Sequence, residues 1–157
     1  MKKHHIDVYN QEVLFFNTYK DFKKYLKKHG SSLDSDDDFL QSTGGCAGIL
    51  DNNKEERSYF FIAIDSEQAQ SVDELIEILV HESLHVTMML LGLVGVEISP
   101  ENHESATYLQ QSIFRSYMKA FKVCDVLRKE GEESMLKHVG DELLAIEEEE
   151  NDSNEEC

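Results

Sequence analysis

"SVDELIEILVHESLHVTMML", Ser71 to Leu90, is the stretch from which the rest of the chain is read. Its apolar residues recur at helical spacing, and Ser71 followed three residues later by Glu74 forms a capping box. The pattern predicts a helix from Ser71 to about Leu91, closed by "GLVG" and covered on its buried sides by Ile78, Leu79 and Leu84. Three polar groups, His81, Glu82 and His85, interrupt this apolar run, and each costs free energy there unless a partner satisfies it. Residues four apart share a helix face with Cβ atoms roughly 5–6 Å apart, so the two imidazoles can converge on one point. Glu82 projects about 100° further round the helix.

Upstream, "EVLFF", Glu12 to Phe16, reads as a short buried strand. The segment after it places Tyr19, Phe22, Tyr25 and Leu26 at helical spacing, with Asn17 or Thr18 as cap, a Gly stop and a lysine-covered solvent face. "SSLDSDDDF" follows as a polar loop. "GGCAGIL" and "RSYFFIAID" flank the turn-rich "DNNKEE" and predict an antiparallel hairpin, in which Gly44, Gly45 and Gly48 mark bulges or close backbone approach. Downstream, "ENHESATYLQQSIFRSYMKAFKVCDVLRKEG" predicts a long helix with Tyr108, Ile113, Phe114, Tyr117, Phe121 and Cys124 available for packing.

The expected architecture is therefore α+β: a small antiparallel sheet packed on the His-Glu-x-x-His helix and on a second long helix. Within 157 residues, 40% of them hydrophobic, this is one domain over 1–129, followed by an amphipathic helix over 130–146 and a disordered acidic tail over 147–157. From Glu130 to Cys157 twelve acidic residues face one lysine, so much of the net charge of −17 belongs to that end. Such a balance argues against direct nucleic-acid binding, which needs clustered Lys and Arg. No stretch reaches the roughly 18 uninterrupted apolar residues of a membrane helix, and "MKKHHIDVYNQE" lacks the apolar core of a signal peptide, so a cytoplasmic protein is expected. Cys46, Cys124 and Cys157 form no CxxC pair and are expected as reduced thiols.

A zinc ion bound at about 2.0–2.1 Å from each imidazole fits the i, i+4 spacing of His81 and His85. Glu82 then reaches a metal-bound water rather than the metal, and acts as general base. A catalytic zinc wants a third protein ligand and one open position. Glu101, His103 and Glu104 all stand at the start of the next long helix. Glu104 is preferred because it begins the stripe Glu104, Tyr108, Gln111, with His103 as alternative ligand or oxyanion donor. His4, His5, His29 and His138 have no matching partner.

"HESLH" followed by "NHESATYL" resembles the two-helix site of gluzincin-type metallopeptidases, and Leu75 to Phe121 is similar to small metallopeptidase-like proteins of bacteriophage genomes. The resemblance implies a minimal zincin-like fold, zinc ligands at His81, His85 and Glu104, catalytic Glu82, and the host cytoplasm as location. Many gluzincins carry an Asp four residues after the glutamate ligand. Here that position is Tyr108, which either orients a ligand, donates to an oxyanion, or simply packs.

The leading expectation is a zinc metalloendopeptidase that cuts a peptide or protein substrate, such as a host protein, held along the strand near Phe60 to Ile64. A second reading, from a different class, is a non-catalytic zincin-fold protein whose acidic end occupies or inhibits a basic host partner.

Overall fold

The computed structural model describes residues 1–30 and 44–123. The chain divides into two compact units, Met1–Phe121 and Lys122–Cys157, and every element below belongs to the first. The expected helix over 130–146, the tail over 147–157, the loop "SSLDSDDDF" and Cys124 lie outside the described residues.

The elements are β1 (Lys2–Ile6), a single 3-10 turn (Asp7–Tyr9), β2 (Gln11–Phe16), α1 (Tyr19–His29), β3 (Gly45–Asn52), β4 (Arg57–Ile64), α2 (Val72–Leu93) and α3 (His103–Ala120). The fold is α+β, and its four strands form one sheet in the order β1-β2-β4-β3. β1 pairs antiparallel with β2, β3 antiparallel with β4, and β2 parallel with β4 through Val13↔Phe60 to Phe16↔Ala63. The sheet is thus mixed, where an antiparallel one was expected. The reason is the connection: α1 and β3 both lie between β2 and β4, long enough a crossover for β4 to return beside β2 in the same direction. The unbroken apolar runs "VLFF" and "YFFIAI" fit that position, since strands covered on both faces read as continuous rather than alternating.

Both faces are covered. Leu14, Phe16, Tyr59, Phe61 and Ala63 pack on Phe22, Tyr25 and Leu26 of α1. By the two-residue period of a strand, Val13, Phe15, Phe60, Ile62 and Ile64 face the other way, towards α2 and α3, and all five are buried. On that side Tyr117 of α3 meets Phe15 edge-on at 5.3 Å and donates from its phenol to Phe16 O and Asn17 Oδ1.

The caps explain where the helices begin. Thr18 Oγ1 accepts from Asp21 N at the start of α1, and Gly30 ends that helix at φ +68. At α2, Ser71 Oγ accepts from Glu74 N while the Glu74 carboxylate accepts from Gln70 N, one residue before the cap. Among the described residues α2 is the one helix long and apolar enough by length and composition to cross a bilayer. Here Leu79, Val86 and Leu90 bury its apolar side in the core. Leu84, expected to be buried, is 45% exposed, and Tyr108, expected as available for packing, is 68% exposed. The faces of α2 and α3 that pack are instead set by Leu79 with Val86 and Leu90, and by Leu109 with Ile113 and Tyr117.

Candidate functional site

Helix α2 carries the site. His81 and His85, one turn apart on its exposed side, turn their rings to each other with Nε2 atoms 3.0 Å apart and ring planes at 78°. Two nitrogen ligands on a tetrahedral zinc at 2.0–2.1 Å stand roughly 3.3 Å apart. The pair therefore fits such an ion after opening by a few tenths of an ångström. Between them in sequence, Glu82 turns towards the sheet and is only 6% exposed. Burial pushes its carboxyl above the usual range, and the neighbouring His81 and His85 oppose that shift without cancelling it.

What Glu82 turns towards is the first residue of β3. A Cβ built on Gly45 would stand 2.5 Å from Ile78 Cγ2 and 3.3 Å from Glu82 Cγ, so only glycine lets the strand lie this close to the helix. Gly44 adds the turn, at φ +71, with its own absent side chain 2.9 Å from Ile78 Cδ1. These are the close approaches that the glycine run predicts.

Among the described residues β3 is an edge strand of the sheet. β4 is not: it lies between β2 and β3 with both ladders filled, and Phe60 to Ile64 are buried. Among the described residues the edge strand is accordingly β3, and the expected strand near Phe60 to Ile64 is an inner one. Gly45 and Ala47 of this edge, with Glu77, Ile78, His81, Glu82 and His85 of α2, line a cleft of about 500 Å³. On the far side of β3, Cys46 is a free thiol that burial, and then Glu82, push up to about 12. Its side chain packs against the core on the α1 side.

The candidate third ligands stand apart from this cleft. Glu104 is 68% exposed and its Oε1 lies 3.8 Å from His103 Nε2. The His103 ring donates from Nδ1 to Pro100 O at 2.7 Å, and Glu101 accepts from Ser99 Oγ at 2.7 Å, a bond that holds its carboxyl below the ordinary range. Glu104, Tyr108 and Gln111 do share a stripe, and all three are exposed. The rotation of α3 is fixed by Leu109, Ile113 and Tyr117, whose burial leaves the Glu104 stripe in solvent. Among the described residues no three His, Cys, Asp or Glu side chains gather into a metal-holding set. Two of the three expected ligands are brought together, with the expected base beside them.

Two contributors were not singled out from the sequence. Glu77 precedes His81 by one turn, and its place on the shared face was readable from the i, i+4, i+8 spacing with His81 and His85. Ala47 was legible only as the alternate neighbour of Gly45 on an edge strand, which needs the strand order to be known. Comparison of the chain with protein-family models, with curated proteins and with solved structures gives no match.

Proposed function

We propose that the protein is a zinc-dependent peptide hydrolase, a minimal zincin-like endopeptidase. The observation that carries this reading is the convergence of two imidazole nitrogens beside a buried carboxylate, next to the edge strand β3. His81 and His85 would hold the ion. Glu104 is the third ligand we assign: it is exposed, and its Oε1 lies 3.8 Å from His103 Nε2, a weak tie in solvent. When bound, zinc supplies Lewis acidity towards the scissile carbonyl and makes water acidic enough to attack near neutral pH.

Glu82 takes the proton from the attacking water and returns it to the leaving amine. Its burial favours that role, because a carboxylate held away from water accepts a proton more readily than an exposed one. An extended substrate would add to β3 through backbone hydrogen bonds, placing its peptide groups over the helix where Gly45 and Ala47 leave room. Tyr108, already in solvent, is available to orient a ligand or donate to the oxyanion.

The test is elemental analysis of tag-free protein together with hydrolysis of a peptide library. One zinc per chain, weakened strongly in His81→Ala and in Glu104→Ala, is the expected result. Glu82→Gln should keep the metal and lose roughly 10²–10⁴-fold in rate, and retention of full rate by that variant rules the mechanism out. The solvent position of Glu104 is the one observation that favours a non-catalytic zincin-fold binder. That reading takes over if zinc-replete protein is folded, holds no zinc and cuts nothing.

A further inference from the structure

One charged group in the cleft has no part in the chemistry above. Glu77 lines the same cleft as His81 and His85 and stands one helical turn before His81. Its carboxylate is exposed and makes no hydrogen bond or ion pair among the described residues. The neighbouring acids differ: Glu74 is engaged by Gln70 N, and Glu82 is buried. The uncharged lining of the cleft is small and apolar: Gly45 and Ala47 of β3, and Ile78 of α2. An aliphatic lining shared with an exposed carboxylate is the complement of a side chain with a methylene stem and a cationic head.

We infer that the cleft beside the two histidines selects a lysine or arginine side chain of an extended peptide, with Glu77 receiving the cation and Ala47 and Ile78 covering its stem. This rests on the peptidase reading for its consequence and on the cleft alone for its recognition. A cleft of about 500 Å³ holds one such side chain with the backbone flanking it. The net charge of −17 acts in the same direction over longer range, drawing cationic peptides to the protein at low salt.

The experiment separates recognition from cleavage. Metal-free full-length protein is titrated with the labelled pentapeptide Gly-Ala-Arg-Ala-Gly and with its norleucine counterpart, and binding is followed by fluorescence anisotropy. The arginine peptide is expected to bind roughly 3- to 5-fold more tightly, the range of a partly exposed ion pair. Glu77→Gln should erase that difference and Glu77→Lys should reverse it. Asp73→Asn, which removes the same unit of charge from the same helix outside the cleft, should leave the difference in place. An equal effect of Asp73→Asn and Glu77→Gln, no preference in the wild type, or no binding of the arginine peptide at millimolar concentration overturns the inference. The zinc-loaded protein is then given a random peptide library. Cleavage without enrichment of Lys or Arg overturns the specificity and leaves the peptidase standing. Glu77-dependent binding with no cleavage of any peptide retains the basic-side-chain site and removes the peptidase.

Discussion

On the α1 side of the sheet, Phe16, Phe22, Phe61 and Tyr25 meet ring to ring at centroid distances of 5.1–5.3 Å with no charged group among them. On the α2 side, the apolar contacts of Leu79, Val86 and Leu90 stand next to a buried glutamate and two histidines. Aromatic packing of the first kind adds pair energies to a large buried area. A buried carboxylate does the opposite, since its desolvation opposes folding. Both faces of the sheet supply cohesion, and the α2 face also accepts a polar constellation that a less well-packed domain could not hold.

The contrast breaks most sharply at Phe61, stacked on Phe22 at 26°. Phe61→Ala should cost about 3–5 kcal/mol in urea unfolding. A loss under 1 kcal/mol would mean that the ring cluster on the α1 face adds little to stability. Gly45→Ala, on the other face, should cost about 1–3 kcal/mol through overlap with Ile78. It should also displace Glu82, so on the proposed function the rate of peptide hydrolysis should fall while zinc content is kept. The double variant Gly45→Ala with Ile78→Val, which keeps the overlapping Cγ2 atom, should recover little of either.

Smaller effects test the seam between the faces. Tyr117→Phe removes the donor to Phe16 O and Asn17 Oδ1 and should lower stability by about 1 kcal/mol with no change in zinc binding. The slightest effect is expected at His4, where burial, and then His5, hold the imidazole below its usual 6.5 against the pull of Asp7. Across the strand its ring stacks on Phe15, and its Nε2 lies 3.2 Å from Ser116 Oγ of α3. A histidine with a depressed folded pKa takes up its proton later in the folded than in the unfolded chain. Its contribution is complete above pH 6.5 and declines as pH falls from there towards the folded value. His4→Gln should flatten the change in urea midpoint between pH 7.5 and 5.5.

How far the sequence carried this reading depended on range. The capping box at Ser71, the Thr18 cap, the β3–β4 hairpin and the His81–Glu82–His85 face are local patterns, and each was legible from a few neighbouring residues. β1 was not, because "KKHHI" is polar along most of its length and is held as an edge strand by pairing with β2. The parallel alignment of β2 with β4 and the placing of β3 at the edge depend on partners more than 40 residues apart, which no spacing reveals. Glu104 shows the same limit at the site. Its stripe with Tyr108 and Gln111 was visible, yet which way α3 turns is decided by Leu109, Ile113 and Tyr117 against the sheet.

The bond from Tyr117 of α3 to Phe16 of β2 joins residues 101 positions apart, and Tyr117 is wholly buried. During synthesis, β1, β2 and α1 leave the ribosome long before the residue that seals their other side exists. Chain growth at about 5–20 residues per second leaves the inner face of β2 uncovered for roughly 5–20 seconds. Phe15 lacks its Tyr117 partner throughout that interval. A pause in translation after α1 therefore lengthens exposure of an apolar strand, and the yield of folded protein in a cell should depend on codon choice between residues 17 and 117 more than on codon choice before them.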